Sequence, residues 1–408
     1  MIALSHLKRT LLRMGRVRIH QVCVMLIAWL LPLHILTAGE STLILNNCTI
    51  HTMSKSGTIQ NAQLIIESGE VQAINPYRKD TTYASRQLPS LQDAHILPAF
   101  VDLHAVSSVK DGLFELSDNE SRPIPQRRYP DLRELYLRAG ITTIITRPQT
   151  DSLFQGFSRV IQLLPDSLGG PKVLRDSLDF GISLMPGEWS AISDTGHVYR
   201  RMARYYRLRE ALRRRENHPA GQTLTSLRSG APPFPGTSPT IQNWYTTVPT
   251  VYDIQRIQLL SNEYPVPPFR AELATTAHPN DFSQVAASLD SVPLILQGRL
   301  FSDPREELIF FLLALEEYSI DYSIASFHDF DFGCISLVRK LISYGVSEYT
   351  ALAAVTRIPG SSLGQDLSLG QIEEGSSANL VVFNADPFRM TSQLIATISD
   401  GRMIWIRR

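Results

Sequence analysis

The 408 residues balance 39 lysines and arginines against 39 aspartates and glutamates, for a formal net charge of +0. Such a balance gives no electrostatic footprint for nucleic acid or another polyanion. With 43% hydrophobic residues the chain is not a disordered one, and it can bury a barrel-sized core with room for a small second domain.

The first residues stand apart from the rest. Lys8, Arg9, Arg13, Arg16 and Arg18 form a basic lead, Val22 to Leu36 reads VCVMLIAWLLPLHIL, and Thr37-Ala38-Gly39 follow. A positive region, an apolar run and small residues describe a secretory signal peptide over residues 1–39, cleaved near Ala38 or Gly39. An uncleaved membrane anchor is the alternative, although the run is short for a span and carries Pro32 and His34. The expectation is an exported chain, periplasmic or extracellular, that meets a membrane only through this segment. Cys23 leaves with the signal. Cys48 and Cys334 are expected as free, buried thiols, with a disulfide as the alternative in an oxidising compartment. Neither has the flanking residues of a zinc site.

Residues 42–97 read as short strands and turns. Thr42 to Leu45 is a strand, Cys48 to Met53 continues the pattern, and Ala62 to Glu67 turns at Ser68-Gly69-Glu70 into Val71 to Ile74. The apolar strand Ile96 to Val101 then runs into Asp102 and His104. Period-2 alternation puts residues 104 and 106 on one side of a strand, where a His-x-His pair chelates a metal. Val106 stands at the second place, so this pair is broken.

Asp131 to Ala139 is helical, stopped by Gly140, and Ile141 to Ile145 is a strand. Tyr199 to Arg215 is a strongly basic helix, read as a solvated outer helix with Met202, Tyr206 and Leu212 facing inward. An anionic ligand or membrane-surface contact is its functional alternative. Residues 215–246, rich in Pro, Gly, Ser and Thr, read as a long loop. Leu308 to Tyr318 is an apolar helix leading into the strand Asp321 to Ala325, and Ser347 to Val355 is a further helix. Ala378 to Phe383 is a buried strand, and Ile395 to Ile406 is a hairpin turning at Asp400-Gly401. Repeated strand-then-helix units argue for a parallel sheet able to close as a barrel. The fold expected is therefore α/β: a distorted (β/α) barrel over residues 98–377, with a small β-sandwich assembled from residues 40–97 and 378–408.

Several of these pieces resemble the amidohydrolase superfamily, and within it the secreted imidazolonepropionase-like proteins. Leu43 to Asn47 with Ser68 to Val71 is similar to the family's first strands, and Leu97-Pro98-Ala99-Phe100-Val101-Asp102-Leu103-His104 to its first barrel strand. Ala139-Gly140-Ile141-Thr142-Thr143 is similar to its Gly-(Val/Ile)-Thr-Thr strand. The tail matches in order: Ala351 to Thr356, Leu363-Gly364, Leu369 to Ile372, Glu374-Gly375, Ala378 to Val382 and Asp386-Pro387-Phe388.

The resemblance implies a hydrolase that activates water against a C–N bond with one or two divalent metals. It implies a His-x-His pair on strand one, a Lys or Glu on strand four, histidines on strands five and six, and a strand-eight Asp. Against that set the chain offers His104, with Val106 in the second place. Glu272 stands in the fifth-strand stretch, with His278 in the loop beyond, and Gln297 holds the sixth-strand position. Phe327 holds the strand-eight slot, with His328-Asp329 just after. No strand-four ligand can be assigned, and Asp102 is expected to tie the strand end to nearby backbone.

A catalytic zinc needs about three good protein ligands. The leading expectation is therefore a degenerate amidohydrolase with no cofactor, keeping the barrel mouth for a small-molecule ligand. The alternative is an active enzyme with a rebuilt site: His104 and Glu272 on zinc or another divalent metal, and His328 and Asp329 as catalytic acid and base. A surface-associated module using the basic helix is the third reading.

Overall fold

The computed structural model describes residues 42–78, 93–105, 129–147, 153–165, 171–185, 194–216, 243–264, 266–274, 282, 286, 289, 292–301, 306–325 and 333–407. In chain order the first strands are β1 (Leu43–His51), β2 (Thr58–Glu67), β3 (Glu70–Pro76), β4 (His95–Pro98) and β5 (Phe100–Ala105). Helix α1 (Tyr129–Arg138) ends at Gly140, whose φ of +82° is a left-handed stop that leaves no room for a side chain against Phe100 and Val381. There follow β6 (Ile141–Thr146), β7 (Phe154–Phe157), β8 (Arg159–Pro165), β9 (Pro171–Arg175), β10 (Phe180–Ser183), α2 (Asp194–Glu216) and β11 (Trp244–Val248). Helix α3 (Val251–Glu263) starts on a capping box formed by Thr250 and Asp253. Next come β12 (Phe269–Leu273), β13 (Leu294–Gln297), α4 (Glu306–Glu317), β14 (Tyr322–Ala325) and α5 (Gly333–Ser343). Helix α6 (Glu348–Ala353) is capped by the Ser347 hydroxyl, which accepts the Thr350 N–H at 3.2 Å. The chain closes with α7 (Arg357–Ser362), β15 (Leu380–Phe383), β16 (Leu394–Ser399) and β17 (Arg402–Ile406).

Strands from both ends meet in one seven-stranded sheet, ordered β17-β16-β15-β4-β1-β2-β3. Hydrogen bonding runs through all seven, so the strands form a continuous sheet where the sequence suggested stacked layers. Its hairpins turn where expected: Ser68-Gly69 and Asp400-Gly401 all have positive φ, as tight primed turns require. β15 sits between β4 and β16 and is buried on both sides. Leu380 and Val382 pack with Ile50, Leu64, Ile66 and Ile96, while Val381 and Phe383 join the main core. Burial on two faces explains why the run is apolar without alternation.

The parallel strands form two further sheets. β10, β11, β12, β13 and β14 pair in parallel, and β5 pairs in parallel with β6. Between these groups stands an extended run broken at Ser158: β7 pairs antiparallel with β10, and β8 antiparallel with β6. On the other side the N–H groups of Val101 and Ile324 donate to the carbonyls of Val355 and Ala354 at 3.1 and 3.0 Å. The turn after α6 therefore lies between β5 and β14. The expected barrel is thus present in open form, because antiparallel and turn segments stand where a regular barrel has parallel ladders.

The basic helix corrects an expectation. Leu208 and Leu212 face the core, but Met202 and Tyr206 are 47% and 67% exposed, so they face away from it. Residues 1–41 and 217–242 lie outside the described part, and with them the signal segment and most of the long loop.

Candidate functional site

β5 departs from regular pairing at the residue that matters most. Against β6, three steps from Asp102 to Ala105 match two from Ile144 to Thr146, so β5 carries a bulge. A bulge re-aims the side chains beside it. The Asp102 carboxylate accepts the His104 N–H at 3.0 Å within it, the backbone tie expected of this residue. Asp102 lies on the helix side, where its charge bears on Tyr136 and Cys334, whereas His104 reaches into the sheet interior.

There His104 meets Glu272. Its Nδ1 lies 2.9 Å from both carboxylate oxygens of Glu272 and 3.1 Å from the Tyr245 hydroxyl. Tyr245 donates to the same carboxylate, and Thr247 reaches it at 3.4 Å. Strand alternation produces this convergence: Arg270 and Glu272 of β12 point inward while Ala271 and Leu273 join the outer core. Burial pushes the Glu272 carboxyl up, but the His104 charge and hydrogen bond, the Arg147 charge and a Gln297 hydrogen bond outweigh it. Glu272 is therefore held below the usual carboxylate range. Glu272 is fully buried, while 12% of the His104 side chain remains accessible, so the imidazole is the reachable member of the pair.

A second ionic layer lies against the first. Arg147 stacks its guanidinium over the Tyr245 ring at 3.2 Å, donates to the Leu103 carbonyl at 3.1 Å and pairs with Asp179 at 2.6 Å. Arg270 pairs with Asp179 at 3.3 Å from the other side and donates to the Ser362 carbonyl. Burial raises the Asp179 carboxyl, and the two guanidiniums with the Arg147 and Ser158 hydrogen bonds pull it below the usual range. Burial in turn lowers Arg270, with Asp179 opposing. A satisfied network of this kind fixes the ring and carboxylate positions above it.

The structure brings together His104, Glu272 and Gln297 of the sequence candidates. His278, His328, Asp329, Val106 and Phe327 lie outside the described residues. Tyr245, Arg147, Asp179 and Arg270 were missed from sequence. One signal for them exists: in Phe269-Arg270-Ala271-Glu272-Leu273 two opposite charges share one face of a buried strand, which demands partners inside.

The metal that the resemblance implies needs a converging set of donors. Among the described residues no three His, Cys, Asp or Glu side chains converge to hold an ion. His104 and Glu272 supply one imidazole and one carboxylate, already bound to each other, short of the roughly three ligands a catalytic metal needs. The described residues do not fit a metal centre.

Residues 339–405 match the model of the Amidohydrolase family. No curated protein matches the chain in sequence. Among solved structures, an amidohydrolase from Thermotoga maritima MSB8 is similar with a TM-score of 0.63 at 17% identity, over 89% of this chain and 100% of that one. A second amidohydrolase gives 0.52 at 12% identity, over 90% and 99%. The ochratoxinase of A. niger gives 0.51 at 12% identity, over 89% and 95%. These likenesses establish an amidohydrolase-type fold.

Proposed function

We propose that this chain is built on the scaffold of a C–N bond hydrolase, of the cyclic-amide class, in which an internal histidine–carboxylate pair stands where the family places its metal. The observation that carries this reading is the 2.9 Å pairing of His104, the remaining strand-one ligand, with Glu272 in the fifth-strand position. A small molecule would bind at the partly accessible imidazole. In this reading residues 1–39 direct export, residues 98–377 form the barrel unit, and residues 40–97 with 378–408 form the smaller one. The basic, apolar and small-residue pattern of the leader supports the export assignment.

Elemental mass spectrometry of protein expressed with added zinc and manganese tests this. The reading expects metal far below one ion per chain. Near-stoichiometric metal with chelator-sensitive hydrolysis of a cyclic amide would overturn it.

One observation favours a second reading. A buried carboxylate on Nδ1 orients an imidazole as a general base, the arrangement used in metal-free acyl transfer. Glu272 holds His104 in that way, and His328 and Asp329 would complete a rebuilt site. This reading requires His104→Ala and His328→Ala each to lower a measured hydrolase activity by at least about 100-fold. Activity retained in both variants rules it out.

A further inference from the structure

Helix α2 has an inner face fully used by the fold. Leu208 and Leu212 pack in the core, the Tyr205 hydroxyl donates to the Arg256 carbonyl at 3.1 Å, Arg204 donates to the Ser183 carbonyl at 3.0 Å, and Arg201 lies 3.5 Å from Asp253. The outer face reads differently from an ordinary solvated helix. Tyr199, Met202 and Tyr206, with the exposed Ala203, occupy positions i, i+3, i+4 and i+7 and form one continuous stripe. Tyr199 is 77% exposed, more open than either of the others.

Arginines line both sides of this stripe. Arg200 and Arg207 flank one edge and are exposed, and among the described residues neither has an acidic partner. Arg209 and Arg213 flank the other, paired 2.8 and 3.0 Å from Glu263 and Glu210. Helix residues 200, 201, 204, 207, 209, 213, 214 and 215 are all arginine, and against Asp194, Glu210 and Glu216 they leave the helix with a net charge of +5 in a chain whose total is +0. The basic charge is therefore local to this helix.

We propose that the outer face of α2 docks on an anionic phospholipid surface. Aromatic rings with a polar tip and a methionine sit at the level of the headgroups, while flanking guanidiniums pair with lipid phosphates. Charge favours lipid over a second copy of this chain: two-fold self-pairing would bring Arg200 and Arg207 of both copies together. The docking is independent of whether the interior site is catalytic. It adds a membrane contact beyond the leader.

The test uses the full chain carrying Cys23→Ser and Ala203→Cys, labelled at residue 203 with an environment-sensitive fluorophore. Vesicles of phosphatidylcholine alone are compared with vesicles containing phosphatidylglycerol. The proposal expects a blue shift with anionic vesicles only, reversed by high salt. Arg200→Glu with Arg207→Glu should weaken this response at least about 25-fold, from about fivefold per basic residue. Tyr199→Ser with Tyr206→Ser, which keeps the charges, should also weaken it. Circular dichroism on each variant checks that the helix persists. An unchanged probe on chain that sediments with anionic vesicles would assign binding to the leader alone and overturn the proposal. A concentration-dependent shift without vesicles would overturn it in favour of self-association.

Discussion

Asp179 holds two buried guanidiniums, and almost nothing of the three side chains reaches water: 0% of Asp179, 4% of Arg147 and 8% of Arg270. Removing one partner of a buried ionic group leaves an uncompensated charge, at a cost of about 3–5 kcal/mol. Asp179→Asn keeps the volume and removes the charge, so it is expected to destabilise the chain by that amount in urea unfolding. A loss under about 1 kcal/mol would show that the arginines find water or other acceptors. Glu272→Gln is a milder change, because Tyr245 and Gln297 still offer hydrogen bonds to an amide. Its effect on stability should be smaller than that of Asp179→Asn. At this scale the sequence was half legible. His104 and Glu272 could be found from motif position, yet their pairing could not, since it depends on the β5 bulge. Period-2 alternation places His104 on the same side as Asp102, and the inserted residue undoes that.

Elements were more readable than residues. The apolar run Leu380 to Phe383, the turn at Asp400-Gly401 and the stop at Gly140 each carry their own local cause, and each appears where the pattern puts it. The helix α2 was placed correctly, with its faces wrong at Met202 and Tyr206. Apolar character alone decided that reading, and an exposed apolar stripe is the case it cannot handle. The end sheet makes a testable demand on its last strand. β17 pairs Ile406 with Ala396 and Trp405 with Thr397, and Thr397 also donates to the Leu137 carbonyl at 2.9 Å. Deleting residues 402–408 strips β16 of a neighbour, so the truncated chain should unfold at a lower temperature and resist proteolysis less. Unchanged melting would mean that β17 adds no stability.

The whole molecule should be acid-sensitive. His51 Nε2 lies 3.0 Å from His95 Nδ1, and Phe388 stands edge-on to the His51 ring. Burial lowers His51 to about 4 from an ordinary 6.5, the His95 charge adds to this, and Asp386 opposes. His95 moves in the same direction through burial. The unfolded chain binds these protons first, so stability is complete above about 6.5 and is lost as pH falls towards 4. His51 alone accounts for at most about 3 kcal/mol. Glu272 and Asp179 have the same sign: their stabilisation is present above ordinary carboxylate values and is lost as pH falls through their depressed ones. Urea midpoints measured between pH 7 and pH 4 should therefore decline once pH falls below about 6.5, and His51→Phe should flatten the upper part of that decline. A midpoint independent of pH in this window contradicts the assignment.

The order β15-β4-β1 joins residues 380–383 to residues 95–98. During synthesis strand β4 thus stands beside β1 with its other side open until β15, made much later, arrives as its partner. A ribosome that stalls before codon 380 releases a chain whose barrel strands are all present but whose β4 edge facing β15 is unpaired, a ready template for another chain. The late strand works as a checkpoint: only a chain read through β15 can conceal that edge from other chains.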